Sequence, residues 1–147
     1  MERKVEIWVH KTEIRIQWFD VDCAGVVYFG NFFRFFTTAE DEFLRSMGIT
    51  HNDLKDQFNI GFTRVETACK FIRPAHYDDL IEVQTRMELE NDKFLTWEFN
   101  VFLKSDQTLL AQGMVRTACI SFGDEFKIVR MPEEVFKKLS QGVNKDL

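Results

Sequence analysis

Between Ile81 and Leu103 the chain alternates apolar and polar residues with a strictness that a strand pair satisfies and a helix does not. Ile81, Val83, Thr85, Met87 and Leu89 interleave with Glu82, Gln84, Arg86 and Glu88. After the turn residues Glu90-Asn91-Asp92-Lys93 the pattern resumes in Leu95, Trp97, Phe99, Val101 and Leu103. A period of two places one set of side chains on one face of a sheet, so one face is dry and the other wet. Ser105-Asp106-Gln107 marks a second turn before a last long strand, Leu109 to Ser121. Upstream, Ile14, Ile16 and Trp18 alternate over Thr12 to Trp18, and Val65, Thr67, Cys69 and Phe71 form one face of another strand. Short turns between these runs imply antiparallel neighbours.

A dry sheet face must be covered, and the chain offers one long cover. Over Asn31 to Met47, Phe32, Phe33, Phe36, Ala39, Phe43, Leu44 and Met47 fall at helical spacing, and Phe35 widens the stripe. Asn31 stands at the N-cap, Arg45 in the last turn and Gly48 at the stop. Glu40, Asp41, Glu42 and Arg45 make the opposite face wet. The first half is apolar nearly all round, which marks an embedded helix rather than one laid on a surface. Thr50 to Phe58 reads as a short second helix capped by Thr50 or Asn52, and Pro132 opens a tail helix with Glu133 and Glu134 in its first turn. The order of a strand, a long helix, then four or so strands predicts an α+β fold, with residues 1–147 as a single domain. Sixteen Phe in 147 residues supply its core without disulfides or metal.

Charge and cysteine usage narrow the function classes. The formal net charge of −5 speaks against nucleic acid as a partner, because phosphates demand concentrated positive charge. No apolar stretch approaches the roughly 20 residues of a membrane span. The start, Met1 to Val5, has no apolar run after its charges and does not read as a signal peptide. Cys23, Cys69 and Cys119 are odd in number and form no CxxC pair, so they read as reduced thiols and point to the cytoplasm. His10, His51 and His76 are scattered without metal spacing, and no metal site is expected. No Ser stands in a GxSxG elbow, and no P-loop or GxGxxG occurs.

The one chemically loaded segment is the loop before the long helix. Asp20 and Asp22 sit in an otherwise apolar stretch from Trp18 to Asn31. A carboxylate among Val, Tyr and Phe carries a desolvation cost. The helix start behind it offers unpaired N–H groups and a positive dipole end, which suit a developing oxyanion. Two readings stand side by side: either acid serves only to accept loop hydrogen bonds, or one is a base beside an oxyanion donor. Cys23 likewise reads as a nucleophile near a helix start or as an inert small side chain. The helix phenylalanines read as core, with a share lining an acyl pocket.

The segment FDVDCAGVVYFGNFFRFF, Phe19 to Phe36, resembles the D-x-D-x-x-G-x-V-Y-x-x-N signature of hotdog-fold acyl-CoA thioesterases of the 4-hydroxybenzoyl-CoA thioesterase type, including the Tol–Pal-associated branch. FIRPAHYDDLIEVQT, Phe71 to Thr85, is similar to that family's approach to its third strand. Overall the resemblance spans Thr12 to Ser121. It implies a five-stranded antiparallel sheet wrapped around a long central helix, and hydrolysis of an aromatic or short- to medium-chain acyl-CoA. By the same resemblance, Asp22 is the catalytic carboxylate, as general base or as nucleophile, and the Phe29 N–H polarises the thioester carbonyl. Gly25 permits close backbone approach, Tyr28 and Asn31 complete the loop, and Phe32 and Phe33 line the pocket wall. The Phe-rich segment is expected to surround Asp22 and keep water scarce there.

Family active sites lie between subunits, so the resemblance implies a homodimer or homotetramer in which Phe62 and Thr63 come from the partner. Lys93 falls where relatives present basic residues to the phosphates of coenzyme A, which enters as part of the substrate with no separate cofactor. Two positions depart from the pattern: Phe29 stands where the Tol–Pal branch has His, and Gly30 where the aromatic-acyl type often has Pro. The alternative reading is a non-hydrolytic hotdog module that binds acyl thioesters or acyl carrier protein. A hotdog dehydratase would need a His by the helix, where this chain has Phe29 and Asn31.

Overall fold

In the computed structural model, residues 9–123 and 125–143 are described. The N-terminal run read against a signal peptide lies outside them. Strands β1 (His10–Arg15), β2 (Ile60–Phe71), β3 (Leu80–Leu89), β4 (Phe94–Leu103) and β5 (Leu109–Ser121) form one antiparallel sheet in the order β1-β3-β4-β5-β2. A two-residue strand β6 (Lys127–Ile128) adds to the end of β5. Helix α1 (Asn31–Ser46) lies in the curl of this sheet, with short helices α2 (His51–Phe58) and α3 (Glu133–Val143) beside it. This is the hotdog arrangement that the sequence led us to expect.

The alternation over Ile81 to Leu103 does what its period demands. Cross-strand partners Val83–Val101, Thr85–Phe99 and Met87–Trp97 are all buried against α1. The helix approaches the sheet closely because Phe36 stacks on Phe99, with centroids 4.6 Å apart, directly over Gly113 of β5. A Cβ at position 113 would collide with the Phe36 ring, so only Gly admits this contact. Two turns further on, Phe43 meets Trp97 edge to face at 5.3 Å.

Four expectations are corrected. The first strand ends at Arg15, and Trp18 turns outward in a 3-10 turn, Trp18–Asp20, with 73% of its surface exposed. Ile16, by contrast, is buried as its pattern required. Gly30 rather than Asn31 precedes the helix, and Asn31 is its first helical residue. Val65 does not face inward: the β2–β5 register slips between Arg64 and Glu66, so Val65 forms a bulge and is exposed. Glu40, read as part of the wet face, is 2% exposed. Arg64 of β2 explains it, donating from Nη1 (3.2 Å) and Nη2 (2.6 Å) to the two Glu40 oxygens.

Burial pushes the Glu40 carboxyl above its ordinary value, and the Arg64 guanidinium pulls it part of the way back. A carboxyl raised in the folded state favours folding below the ordinary carboxylate range, and that contribution is lost as pH rises through the raised value. Removing Arg64 leaves a buried charge without its partner at neutral pH but not in acid. Arg64→Ala is expected to cost roughly 2–3 kcal/mol near pH 7, below a fully buried pair because Arg64 is 38% exposed, and distinctly less near pH 4.5. Urea unfolding at the two pH values checks this. An equal loss at both would contradict an electrostatic origin.

Candidate active site

Between the 3-10 turn and α1 the chain forms a small hairpin. Val21 bridges Val27, the Asp22 N–H donates to Val26 O (2.9 Å), and the Gly25 N–H returns to Asp22 O (3.0 Å). The hairpin is docked on the connection before β3, where Val27 N–H donates to Ala75 O (2.8 Å) and Val26 bridges His76. At its tip Gly25 has φ +80, with open space where a Cβ would be. The tip thus needs Gly for backbone conformation alone.

The two acids of this hairpin have opposite environments. Asp20 is completely buried at the base. Its Oδ1 accepts from Arg34 Nη2 and its Oδ2 from the Gln17 N–H (2.8 Å), while its carbonyl accepts from the Tyr28 N–H (2.9 Å) and Asn31 Nδ2 (2.8 Å). Asp20 therefore ties the hairpin base to the first turn of α1. Asp22, at the tip, is exposed, and its Oδ1 accepts from the Ala24 N–H (2.8 Å). The expectation that phenylalanines surround Asp22 and keep water from it is corrected: within one chain the apolar surroundings belong to Asp20. Phe19 and Phe29 are themselves largely exposed.

The helix start supplies the donors. Asn31, Phe32 and Phe33 turn their N–H groups back to Tyr28, Phe29 and Gly30 carbonyls in a tight first turn. The N–H groups of Phe29 and Gly30 have no acceptor among the described residues. Tyr28 and Phe29 are half-exposed or more, with rings 4.7 Å apart, and Phe29 also meets Phe71 of β2 at 6.0 Å. Phe32 lies deeper, 4% exposed, in contact with Phe35 and Phe71, whereas Phe33 is only half-buried. On the other flank Trp18 and Tyr77 meet edge to face at 5.2 Å and, with Val21, Asp22, Cys23 and Gly25, line a cleft of about 410 Å³.

Asp22, Gly25, Tyr28, Phe29, Asn31 and Phe32 are thus gathered at one end of the sheet. Phe62, Thr63 and Lys93 are not. Phe62 pairs with Cys119 of β5, and the Lys93 carbonyl accepts from the Cys119 N–H (2.8 Å), so these residues share the far end. Phe62 and Phe71 are nine residues apart on β2, roughly 30 Å at strand spacing. Burial pushes the Cys69 and Cys119 thiols up to about 11, which unsuits both as nucleophiles. Cys23 is exposed beside Asp22, and no histidine is bonded to it among the described residues.

Sequence reasoning missed Arg34 and Tyr77. Arg34 was legible as the one cation in the Phe-rich first half of α1, three residues after Asn31. Tyr77, from a distant segment, had no signal of its own.

This construction has close counterparts. The pattern of the thioesterase-like superfamily matches residues 16–139. The chain belongs to that family. It is 31% identical over 122 residues to the acyl-CoA thioesterase YbgC of Haemophilus influenzae, covering 83% of this chain and 88% of that one. The Synechocystis protein Slr0204, a 1,4-dihydroxy-2-naphthoyl-CoA thioesterase, superposes with a TM-score of 0.82 at 20% identity, over 90% of this chain and 96% of its own. A 4-hydroxybenzoyl CoA thioesterase solved with 4-hydroxybenzoyl CoA superposes with a TM-score of 0.79 at 18% identity, over 88% and 97%. These two structures share the hotdog fold with this chain.

The positive φ of Gly25 yields a graded expectation. Ala or Val at this position strains the backbone by about 1–2 kcal/mol, while Asn tolerates a left-handed conformation better. Turnover is expected to fall in the order Gly, Asn, Ala, Val as the Asp22 carboxylate is displaced, with KM nearly constant. Steady-state kinetics of the three variants checks the order, and equal activities would show that the tip conformation is irrelevant.

Proposed function

We propose that the chain is a thioester hydrolase that converts an acyl-CoA and water into a free acid and coenzyme A. The observation that carries this reading is the exposed Asp22 carboxylate, fixed by the Ala24 N–H at a hairpin tip, on the same hairpin that leads into the two free N–H groups of Phe29 and Gly30. A thioester carbonyl oxygen set against those donors gains charge as the carbon is attacked, and N–H groups at a helix start favour that charge. Asp22 either takes a proton from the attacking water or attacks the carbonyl itself to form an anhydride that water then opens. In the first route the C–S bond breaks and the proton that Asp22 took from water passes to the departing sulfur; in the second the thiolate leaves as the anhydride forms and takes its proton from solvent. Aromatic and short- to medium-chain acyl groups suit the Phe29, Phe33 and Phe71 surroundings, and the reaction calls for no cofactor beyond the coenzyme A of the substrate.

The working unit is a homodimer or a homotetramer. Of the two sheet edges, β1 is six residues long and carries Lys11, Glu13 and Arg15, whereas β2 is twelve residues long, carries Arg64, Glu66 and Lys70, and exposes Val65 and Phe71 between and beyond them. Two β2 edges that pair antiparallel about a two-fold axis run in opposite directions. The Phe62 end of one chain then lies beside the Phe71 end of its partner. That pairing brings Phe62, Thr63 and Lys93, which no single chain gathers, toward the Asp22 hairpin of the other. Lys93 has no ion-pair partner among the described residues, whereas its neighbour Asp92 faces Arg130 at 3.7 Å, so Lys93 is the turn's open cation for coenzyme A phosphates. Cytoplasmic residence accords with the three unpaired cysteines.

Asp22→Asn is expected to abolish thiol release across a panel of benzoyl-, naphthoyl-, phenylacetyl- and C4 to C16 acyl-CoAs while the fold is retained by circular dichroism. Unchanged hydrolysis would sink the assignment. Val65→Glu places a charge on the β2 edge and should yield an inactive monomer by light scattering; an active monomer would refute a shared site. Lys93→Ala should raise KM severalfold at constant kcat, measured against a short pantetheine thioester on which the same change has no effect.

A further inference from the structure

We propose that Arg34 guards the reaction centre electrostatically. It neutralises the buried Asp20 so that the oxygen gaining charge at the Phe29 and Gly30 N–H groups does not face an uncompensated anion. The inference rests on the thioester hydrolase reading and assigns that site a positioning residue.

Asp20 is fully buried, and Arg34 is its one ion-pair partner among the described residues. The Asp20 carbonyl is bonded to the N–H of Tyr28, the residue adjoining Phe29, and to the side chain of Asn31. The carboxylate therefore sits at the same hairpin base from which the oxyanion donors project. The other charges around the hairpin are Asp22, Arg15, and His76, Asp78 and Asp79 before β3; none bonds the Asp20 carboxylate.

Arg34 cannot easily swing away. Its guanidinium lies 5.4 Å from the Phe19 ring centroid and 4.9 Å from that of Phe35. The Asp20 carboxylate accepts with both oxygens, from the Gln17 N–H and from Arg34; an Asn at 20 keeps the first bond with its oxygen and can make the second by donating its amide N–H to the oxygen of a Gln at 34. An Asn–Gln pair thus satisfies the base without charge, with the direction of the second bond reversed. The charges are thus separable from the architecture, and an unpaired anion at the hairpin base would oppose a developing oxyanion by roughly 10–100-fold in rate.

The experiment compares R34Q, R34K, D20N and D20N/R34Q in the full chain. It uses thiol release from an acyl-CoA that the wild type hydrolyses, and binding of the matching non-hydrolysable thioether analogue by calorimetry. R34Q is expected to lower kcat roughly 10–100-fold while analogue affinity stays within about twofold, because the ground state carries little charge at the carbonyl. R34K recovers most of the loss. The neutral pair D20N/R34Q regains at least about fivefold over R34Q, since removing the anion removes the reason for its guard. A double variant no better than R34Q, or an R34Q with full kcat, overturns the proposal. If R34Q does not fold, D20N/R34Q is compared with R34K. A kcat within about tenfold of R34K supports the guard, and a larger loss overturns it. Loss of wild-type turnover in Asp22→Asn establishes the hydrolase reading independently of any Arg34 variant.

Discussion

Everything in this molecule follows from one helix being the cover for one dry sheet face. The inward residues of β3, β4 and β5 leave a trough that α1 fills, with Val135 and Leu139 of α3 closing part of its side, and the Phe36–Phe99 stack over Gly113 sets how deep the helix lies. A helix buried to that depth has few places where its start can reach solvent. It does so at one end of the sheet, and the preceding segment must fold back as a hairpin to bring the chain there from β1. The acidic loop is therefore where it is because the core demands it. Its chemistry is a use made of a position that packing already fixed.

The hairpin resolves a conflict between burial and charge by dividing two acids. Asp20 takes the buried position and is satisfied by a guanidinium, a backbone N–H and the docking of the helix start. Asp22 takes the exposed position, with one oxygen held by the Ala24 N–H and the other turned to solvent. Two residues of one type, separated by a single Val, thus have opposite roles set by environment. The Glu40–Arg64 pair repeats the first solution elsewhere: a carboxylate inside the fold is tolerated where an arginine meets it with two donors.

What was legible in the sequence was whatever periodicity or local spacing encodes. The strands over Ile81–Leu103 and Leu109–Ser121 were readable because their inward residues alternate without interruption, and α1 because its Phe stripe is long. The hairpin's catalytic candidate came from resemblance rather than from pattern, since loop carboxylates have no period. Trp18 misled because it continues an alternation past the strand's end, and only the buried Asp20 two residues on explains the turn outward. Glu40 misled for a related reason. Charge predicts a wet face unless a partner is near, and Arg64 is 24 residues away in sequence, where no local window sees it. Val65 was hidden by its bulge, which shifts the facing of every residue before it.

The remaining feature, a site open to solvent in one chain, is a consequence of the same geometry. A hairpin tip standing clear of the core cannot also be walled in by that core, and the residues the family resemblance assigns to the opposite wall sit roughly 30 Å off at the far end of β2. An enclosed site would need either a long additional lid, for which the described residues have no spare segment, or a second copy turned end for end. The twelve-residue β2 edge, twice the length of the β1 edge, favours the second solution. In the proposed dimer, assembly would exclude water from Asp22, and the phenylalanine-rich mouth would become a pocket by association and not by folding alone.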